Sequence, residues 1–153
     1  MKKVWIWVIS VLTLLIIFFI AYQIIIANVP SIDGPCMFGP DAVKRVIDGD
    51  TFELCSGDIV RLLCVDTPEK GQPGYEESSN FLASLIGGRE IVLEPSNYEG
   101  NNTDKYGRLL RWVYVRNESS ETQELVLVNK YLLEEGYGDI LIIPPETCNE
   151  VSD

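Results

Sequence analysis

The sequence predicts an α+β fold that is mainly β: five short strands closed as a Greek-key barrel, two helices packed outside it, and one apolar helix ahead of the domain. Three observations lead there. At 153 residues the chain has room for one domain beyond its N-terminal segment. From Ala42 onward, short apolar-rich runs are separated by Gly, Pro and Asp clusters, as brief strands joined by turns would be. One stretch breaks that pattern with Phe81, Leu82, Leu85 and Ile86 at helical spacing. Strands this short cannot bury two faces each, and closing them into a barrel under helices removes the difficulty.

In chain order, Ala42–Val46 and Thr51–Cys55 are the first two strands, and Ser56, Gly57 and Asp58 form a hairpin turn into Ile59–Val65. Asp66–Gly74 carries Pro68, Gly71, Pro73 and Gly74 and reads as a loop. The helix Tyr75–Ile86 has Glu76 and Glu77 in its first turn and stops at Gly87 and Gly88. Glu90–Glu94 is a strand, Pro95–Asn102 a polar loop, and Leu109–Val115 a strand with Trp112 and Tyr114 on one face. A charged turn, Arg116–Thr122, leads to a sixth, brief strand segment at Glu124–Val126, beyond the five counted for the barrel, and a second helix, Val128–Glu135, closed by Gly136. A helix after the third strand and another near the end suit a barrel of the OB type.

Residues Val4–Ile26 form an uncharged run of 23 positions, interrupted by Ser10, Thr13 and Gln23. As a helix it would be roughly 35 Å long, enough to cross a hydrocarbon layer of about 30 Å. Trp5, Trp7 and Tyr22 suit the two headgroup zones. Lys2 and Lys3 precede the run and no Lys or Arg follows until Lys44, so the N-terminus is expected in the cytoplasm and the rest outside. A cleaved signal peptide, cut after Ala27, is the competing reading and would leave a secreted domain. The expected layout is a membrane anchor at 4–26, a Pro- and Gly-containing stalk at 27–41, the domain at 42–143 and an acidic tail at 144–153.

Cys36, Cys55, Cys64 and Cys148 contain no C-x-x-C pair, so a zinc site is not expected. A Cys36–Cys148 bridge would staple the ends of the outer part together. Alternation along the hairpin puts Cys55 and Cys64 on opposite faces, which argues against joining those two. Cys64 reads as a buried apolar residue. Sequence leaves the pairing open among three connectivities.

The chain has no histidine, which removes Ser-His-Asp hydrolysis and histidine metal sites. A general base must then be a carboxylate, lysine, tyrosine or cysteine. From Cys36 onward there are 10 Lys+Arg against 22 Asp+Glu, a net of −12. Phosphate binding on such a surface must rely on a local positive site rather than long-range attraction.

Three segments concentrate charged groups suited to cutting a phosphodiester: Val46–Thr51, Arg61–Glu69 and Thr103–Arg108. That chemistry needs cations for the pentavalent phosphorane, a site for a hard metal and a base for water. Arg61 and Arg108 supply charge, Asp50 and Asp66 metal ligation, and Glu69 the base. Arginine's planar fork suits two phosphate oxygens at once. Arg61 also interrupts an apolar strand, where a charge requires a partner.

Ile47–Thr51, Arg61–Glu69 and Thr103–Arg108, in that order and at similar separations, resemble the staphylococcal nuclease (thermonuclease) family over roughly Val43–Ile140. The resemblance implies an OB barrel with helices and calcium-dependent hydrolysis of DNA and RNA to 3′-phosphate ends. It implies that Asp50 and Asp66 bind Ca2+ with the Thr67 carbonyl, and that Glu69 activates or orients the attacking water. Arg61 and Arg108 would hold the phosphate, while Lys105 and Tyr106 match residues that contact the nucleotide's terminal phosphate.

The chain departs from the family in having no third helix after Ile140 and in placing Ile142 where a substrate-stacking tyrosine is expected. The Pro95–Asn102 loop is also longer, with Glu94 and Glu99 near the phosphate site. The expected protein is a membrane-tethered, outward-facing nuclease that takes DNA or RNA and implies no obligate protein partner. A non-catalytic OB-fold module binding nucleic acid or protein at the cell envelope is the alternative.

Overall fold

A computed structural model of the chain describes Phe19, Cys36 and residues 39–97, 102–116, 124–142 and 148–151. Residues divide into two compact units, Met1–Ser31 and Ile32–Asp153. Apart from Phe19, the expected membrane span at 4–26 lies outside the described residues. Among the described residues no helix is long and apolar enough to cross a membrane.

In the second unit, β1 (Val43–Val46), β2 (Thr51–Leu54) and β3 (Ile59–Leu62) form an antiparallel meander, with Thr51 opposite Arg61. After β4 (Val65–Asp66) and helix α1 (Tyr75–Ile86) come β5 (Ile91–Pro95) and β6 (Leu109–Arg116). Then follow β7 (Leu125–Leu127), helix α2 (Val128–Glu134), β8 (Asp139–Ile140) and a 3-10 turn at Asn149–Val151. The main sheet runs β1-β2-β3-β6-β5 with β7 also on β6, and β3 meets β6 in parallel from Val60 opposite Leu109 to Leu62 opposite Arg111. The mainly β, two-helix α+β expectation holds.

The closed five-stranded barrel does not. Among the described residues no pairing joins β1 to β5, so the six-stranded sheet stays open along that seam. The edge strands have only four and five residues. Leu54 of β2, Ile91 and Leu93 of β5 and Leu109 of β6 line a cleft of about 430 Å³ beside the unpaired edge of β5.

The expected strand Ile59–Val65 is also broken. Cys64 has φ +62°, a left-handed conformation that costs a non-glycine residue energy, and it turns the chain out of β3. Val65 and Asp66 then pair with Ile140 and Asp139 in a separate two-stranded ribbon. No apolar alternation marks β8, which is why sequence alone did not suggest it.

The larger core cluster is built from Phe52, Leu54, Val60, Leu62 and Val113 of the sheet with Leu82 and Ile86 of α1 and Val128 and Leu132 of α2. Phe81 of α1 stacks on Tyr137 with ring centroids 4.0 Å apart, fixing the segment after α2 against the first helix. A second cluster joins Leu63, Cys64, Leu110 and Trp112 to Cys148 and Val151. Residues 144–153 were expected as a tail, yet Cys148 and Val151 are buried here, so the folded domain reaches at least to Val151.

Two disulfides hold the unit, Cys36–Cys55 and Cys64–Cys148, each with Cα atoms 5.7 Å apart. The termini are therefore not stapled to each other through Cys36 and Cys148. Cys64 is buried as expected but bridged, not a free apolar residue. Cys36 sits in the expected stalk and is covalently attached to the end of the first hairpin.

Candidate active site

Gly49 sets the first segment. A Cβ there would come within 2.5 Å of Ser78 Oγ and 2.7 Å of Thr67 Oγ1, so only glycine lets the turn sit against α1 and the chain after β4. The Ile47 and Asp48 N–H groups both donate to the Thr51 carbonyl, at 2.9 and 3.1 Å, closing the turn. Asp50 emerges buried. Its Oδ1 accepts from Thr51 Oγ1 at 2.7 Å, and its Oδ2 accepts from Thr67 N and Thr67 Oγ1 at 3.2 and 3.3 Å. Asp48 accepts the Asp50 N–H at 3.1 Å, and its carboxyl is pushed up to about 6 by burial and then by the Asp50 charge.

Arg61 reaches this carboxylate from β3. Its Nη1 contacts Asp50 Oδ1 and its Nη2 lies 3.2 Å from Asp66 Oδ1. The guanidinium is almost wholly buried, with 9% of its side chain accessible, whereas the Asp66 side chain is 53% accessible. The charge in the apolar strand thus has its partners, two carboxylates brought from different elements. Nη1 lacks an aligned hydrogen bond despite touching Asp50. The Asp50–Arg61–Asp66–Thr67 cluster is therefore one ionic knot, and its Asp66 edge is open to solvent.

The third segment is a turn organised by Asp104, a residue sequence reasoning passed over. Its Oδ1 accepts from Tyr106 N and Arg108 N at 2.9 and 3.0 Å, and its Oδ2 takes Arg108 Nε at 2.6 Å. Burial alone would raise the Asp104 carboxyl, but Arg108 and the two N–H groups hold it below the ordinary value. An Asp three residues before a glycine, here Gly107 at φ +82°, is the signal that could have found this side-chain-capped turn. Tyr106 is 72% exposed and its ring lies 4.9 Å from Lys105 Nζ and 5.5 Å from Arg108 Cζ.

Arg61, Lys105, Tyr106 and Arg108 line one pocket of about 380 Å³, whose apolar wall is Leu110 and Leu141. Asp66 and Thr67 line a neighbouring cavity of about 240 Å³ with Gln72, Gly138 and Asp139. The structure thus joins the expected cations in one pocket and the expected metal residues in one cluster, with Arg61 belonging to both. Glu69 stands apart: it is exposed, lines neither cavity, and its N–H donates to Gln72 Oε1 at 2.9 Å. Ile142, at the expected stacking position, is exposed, while its neighbour Leu141 faces the pocket.

Residues 59–150 match the family described as Staphylococcal nuclease homologue. The chain belongs to that family. Endonuclease YncB of Bacillus subtilis (strain 168) is 35% identical over 110 residues, covering 66% of this chain and 47% of its own length. The SPbeta prophage-derived endonuclease YokF of the same organism is 33% identical over 110 residues, 66% of this chain and 34% of its own. Thermonuclease of Staphylococcus intermedius is 34% identical over 112 residues, 67% of this chain and 60% of its own. The chain thus spans less than two thirds of the length of each of these relatives. The family match takes in Arg61, Asp66, Glu69 and Arg108, while Asp50 lies just ahead of it.

Proposed function

We propose that the chain is a calcium-dependent nuclease that hydrolyses phosphodiesters of DNA or RNA, held at a membrane by residues 4–26 with its domain outside. The observation that carries the reading is Arg61: a buried guanidinium tied to Asp50 and Asp66 that also lines the pocket containing Arg108. A cation centre and a pair of phosphate-gripping groups are thereby contiguous. Names borne by the relatives, endonuclease and thermonuclease, point the same way.

The donors around Asp50 suit calcium in kind. They would be the Asp50 and Asp66 carboxylates, both engaged by Arg61 in this structure, with the Thr67 carbonyl that the family resemblance implies, all hard oxygens, and the exposed Asp66 edge could admit water. Two carboxylates are few, so affinity would be modest, and among the described residues no three His, Cys, Asp or Glu are grouped for an ion. When bound there, calcium would supply positive charge beside the phosphate. Glu69, which lines neither cavity in this structure, would have to turn toward the phosphate to take the attacking water's proton as that water's oxygen bonds to phosphorus. Arg61 and Arg108 would hold the equatorial oxygens as charge develops, and the bond from phosphorus to the 5′ oxygen would break, that oxygen taking a proton from solvent and the phosphate staying on the 3′ side. Lys105 and Tyr106 would meet a terminal phosphate.

Outward placement rests on Lys2 and Lys3 ahead of the apolar run, and two disulfides suit an oxidising compartment. The non-catalytic binding module draws support from the net charge of −12 beyond Cys36. Plasmid DNA offered to the purified full chain separates the two readings. Degradation in calcium that stops with a chelator is expected; binding without strand scission at any calcium concentration would contradict the enzymatic reading.

A further inference from the structure

The turn between β3 and β4 is short and carries much of the proposed cation site. Arg61 lies three residues before Cys64, and Asp66 and Thr67 lie two and three after it. Everything that touches this turn holds it in place. Leu63 N donates to the Arg111 carbonyl at 3.0 Å, Asn129 Nδ2 donates to the Leu63 carbonyl at 2.9 Å, and Leu141 N donates to the Cys64 carbonyl at 3.2 Å. Gly138 passes so close that a Cβ on it would lie 2.8 Å from the Asp66 carbonyl. At the centre, Cys64 is held at φ +62° and bonded to Cys148, 84 residues away. Both cysteines are buried, at 2% and 0% exposure, inside the second core cluster.

A bridge added for stability alone could join any two elements, as Cys36–Cys55 does at the far end of the first hairpin, where Cys55 N bonds the Ala42 carbonyl at 2.9 Å. Cys64–Cys148 instead fixes the one residue at which the chain leaves β3 and aims Asp66. We propose that the Cys64–Cys148 disulfide is a positioning device for the cation site. By pinning the β3–β4 turn it sets where Asp66 and the Thr67 carbonyl stand relative to Asp50 and Arg61. This rests on the calcium reading above, and the two disulfides supply an internal control for it.

Calcium chloride is titrated calorimetrically into the full chain, into Cys64→Gly/Cys148→Ala and into Cys36→Ala/Cys55→Ala, with melting followed in parallel. Glycine takes the left-handed conformation without cost, so the first variant loses the bridge and not the turn's backbone. Removing an outer support of a metal site costs on the order of 10–100-fold in affinity, and that loss is expected for the Cys64→Gly/Cys148→Ala variant. The Cys36→Ala/Cys55→Ala variant is expected to melt lower yet keep the parent's calcium affinity. Equal calcium affinity in all three proteins, whatever their melting temperatures, would overturn the proposal. Cys148→Ala alone gives the same comparison should the double variant not fold. A parent chain that takes up no calcium would overturn the functional reading itself, a distinct outcome.

Discussion

Arg61→Ala is expected to lower turnover on DNA on the order of 10²–10³-fold, or about 3–4 kcal/mol, the usual loss for one transition-state donor. The expectation follows from where the guanidinium lies. It is buried between Asp50 and Asp66 and lines the pocket it shares with Arg108, so alanine removes charge from the phosphate and leaves two carboxylates facing each other. Arg61→Lys keeps the charge but loses the fork, and should recover little of the rate. Steady-state kinetics on the folded variants provide the check. A loss below about tenfold, roughly 1.4 kcal/mol, would mean that Arg61 serves the fold and not the reaction.

Asn129→Leu is expected to destabilise the domain most among substitutions outside the site. Asn129 is fully buried at the start of α2 and makes three hydrogen bonds. Its Oδ1 accepts Val113 N at 2.9 Å, and its Nδ2 donates to the Leu63 and Arg111 carbonyls at 2.9 and 3.2 Å. It closes the gap where β3 and β6 part after their short parallel register. Leucine fills similar space but strands Val113 N and the Leu63 carbonyl without water, at about 1–3 kcal/mol each, while the Arg111 carbonyl keeps Leu63 N, so a total loss of about 2–6 kcal/mol is expected in urea unfolding. A loss under about 1 kcal/mol would mean those groups find other partners.

The parts of the fold legible in sequence were those whose residues face one clear environment. Tyr75–Ile86 was readable to the residue because its apolar face and its flanking Gly74 and Gly87 agree. The hairpin around Gly57 was readable from turn chemistry, and the charged segments from their density of Arg and Asp. What stayed hidden depends on partners distant in the chain. Cys64 looks like any buried strand residue until Cys148 bonds to it, and β8 exists only because Asp66 and Val65 need a neighbour. Asn129 reads as an ordinary helix residue, since nothing local shows that three distant backbone groups converge on its amide. Barrel closure was inferred from strand shortness, but the same shortness leaves β1 and β5 unpaired.

The site shows the same division. Residue types named Asp50, Arg61, Asp66 and Arg108, and tertiary structure was needed to show that Arg61 joins the carboxylates to the pocket of Arg108. Asp104 was missed because its work is on backbone N–H groups and on Arg108, not on a ligand.

The account depends on Arg61 and Arg108 gripping a single phosphate, and a double-mutant cycle on kcat/KM tests that most directly. Groups that act as one unit are not additive. With Arg61→Ala, Arg108→Ala and the combined variant measured at saturating calcium, the double is predicted to lose little more than the worse single. Losses that multiply in full would place the two arginines on separate tasks and contradict the shared site.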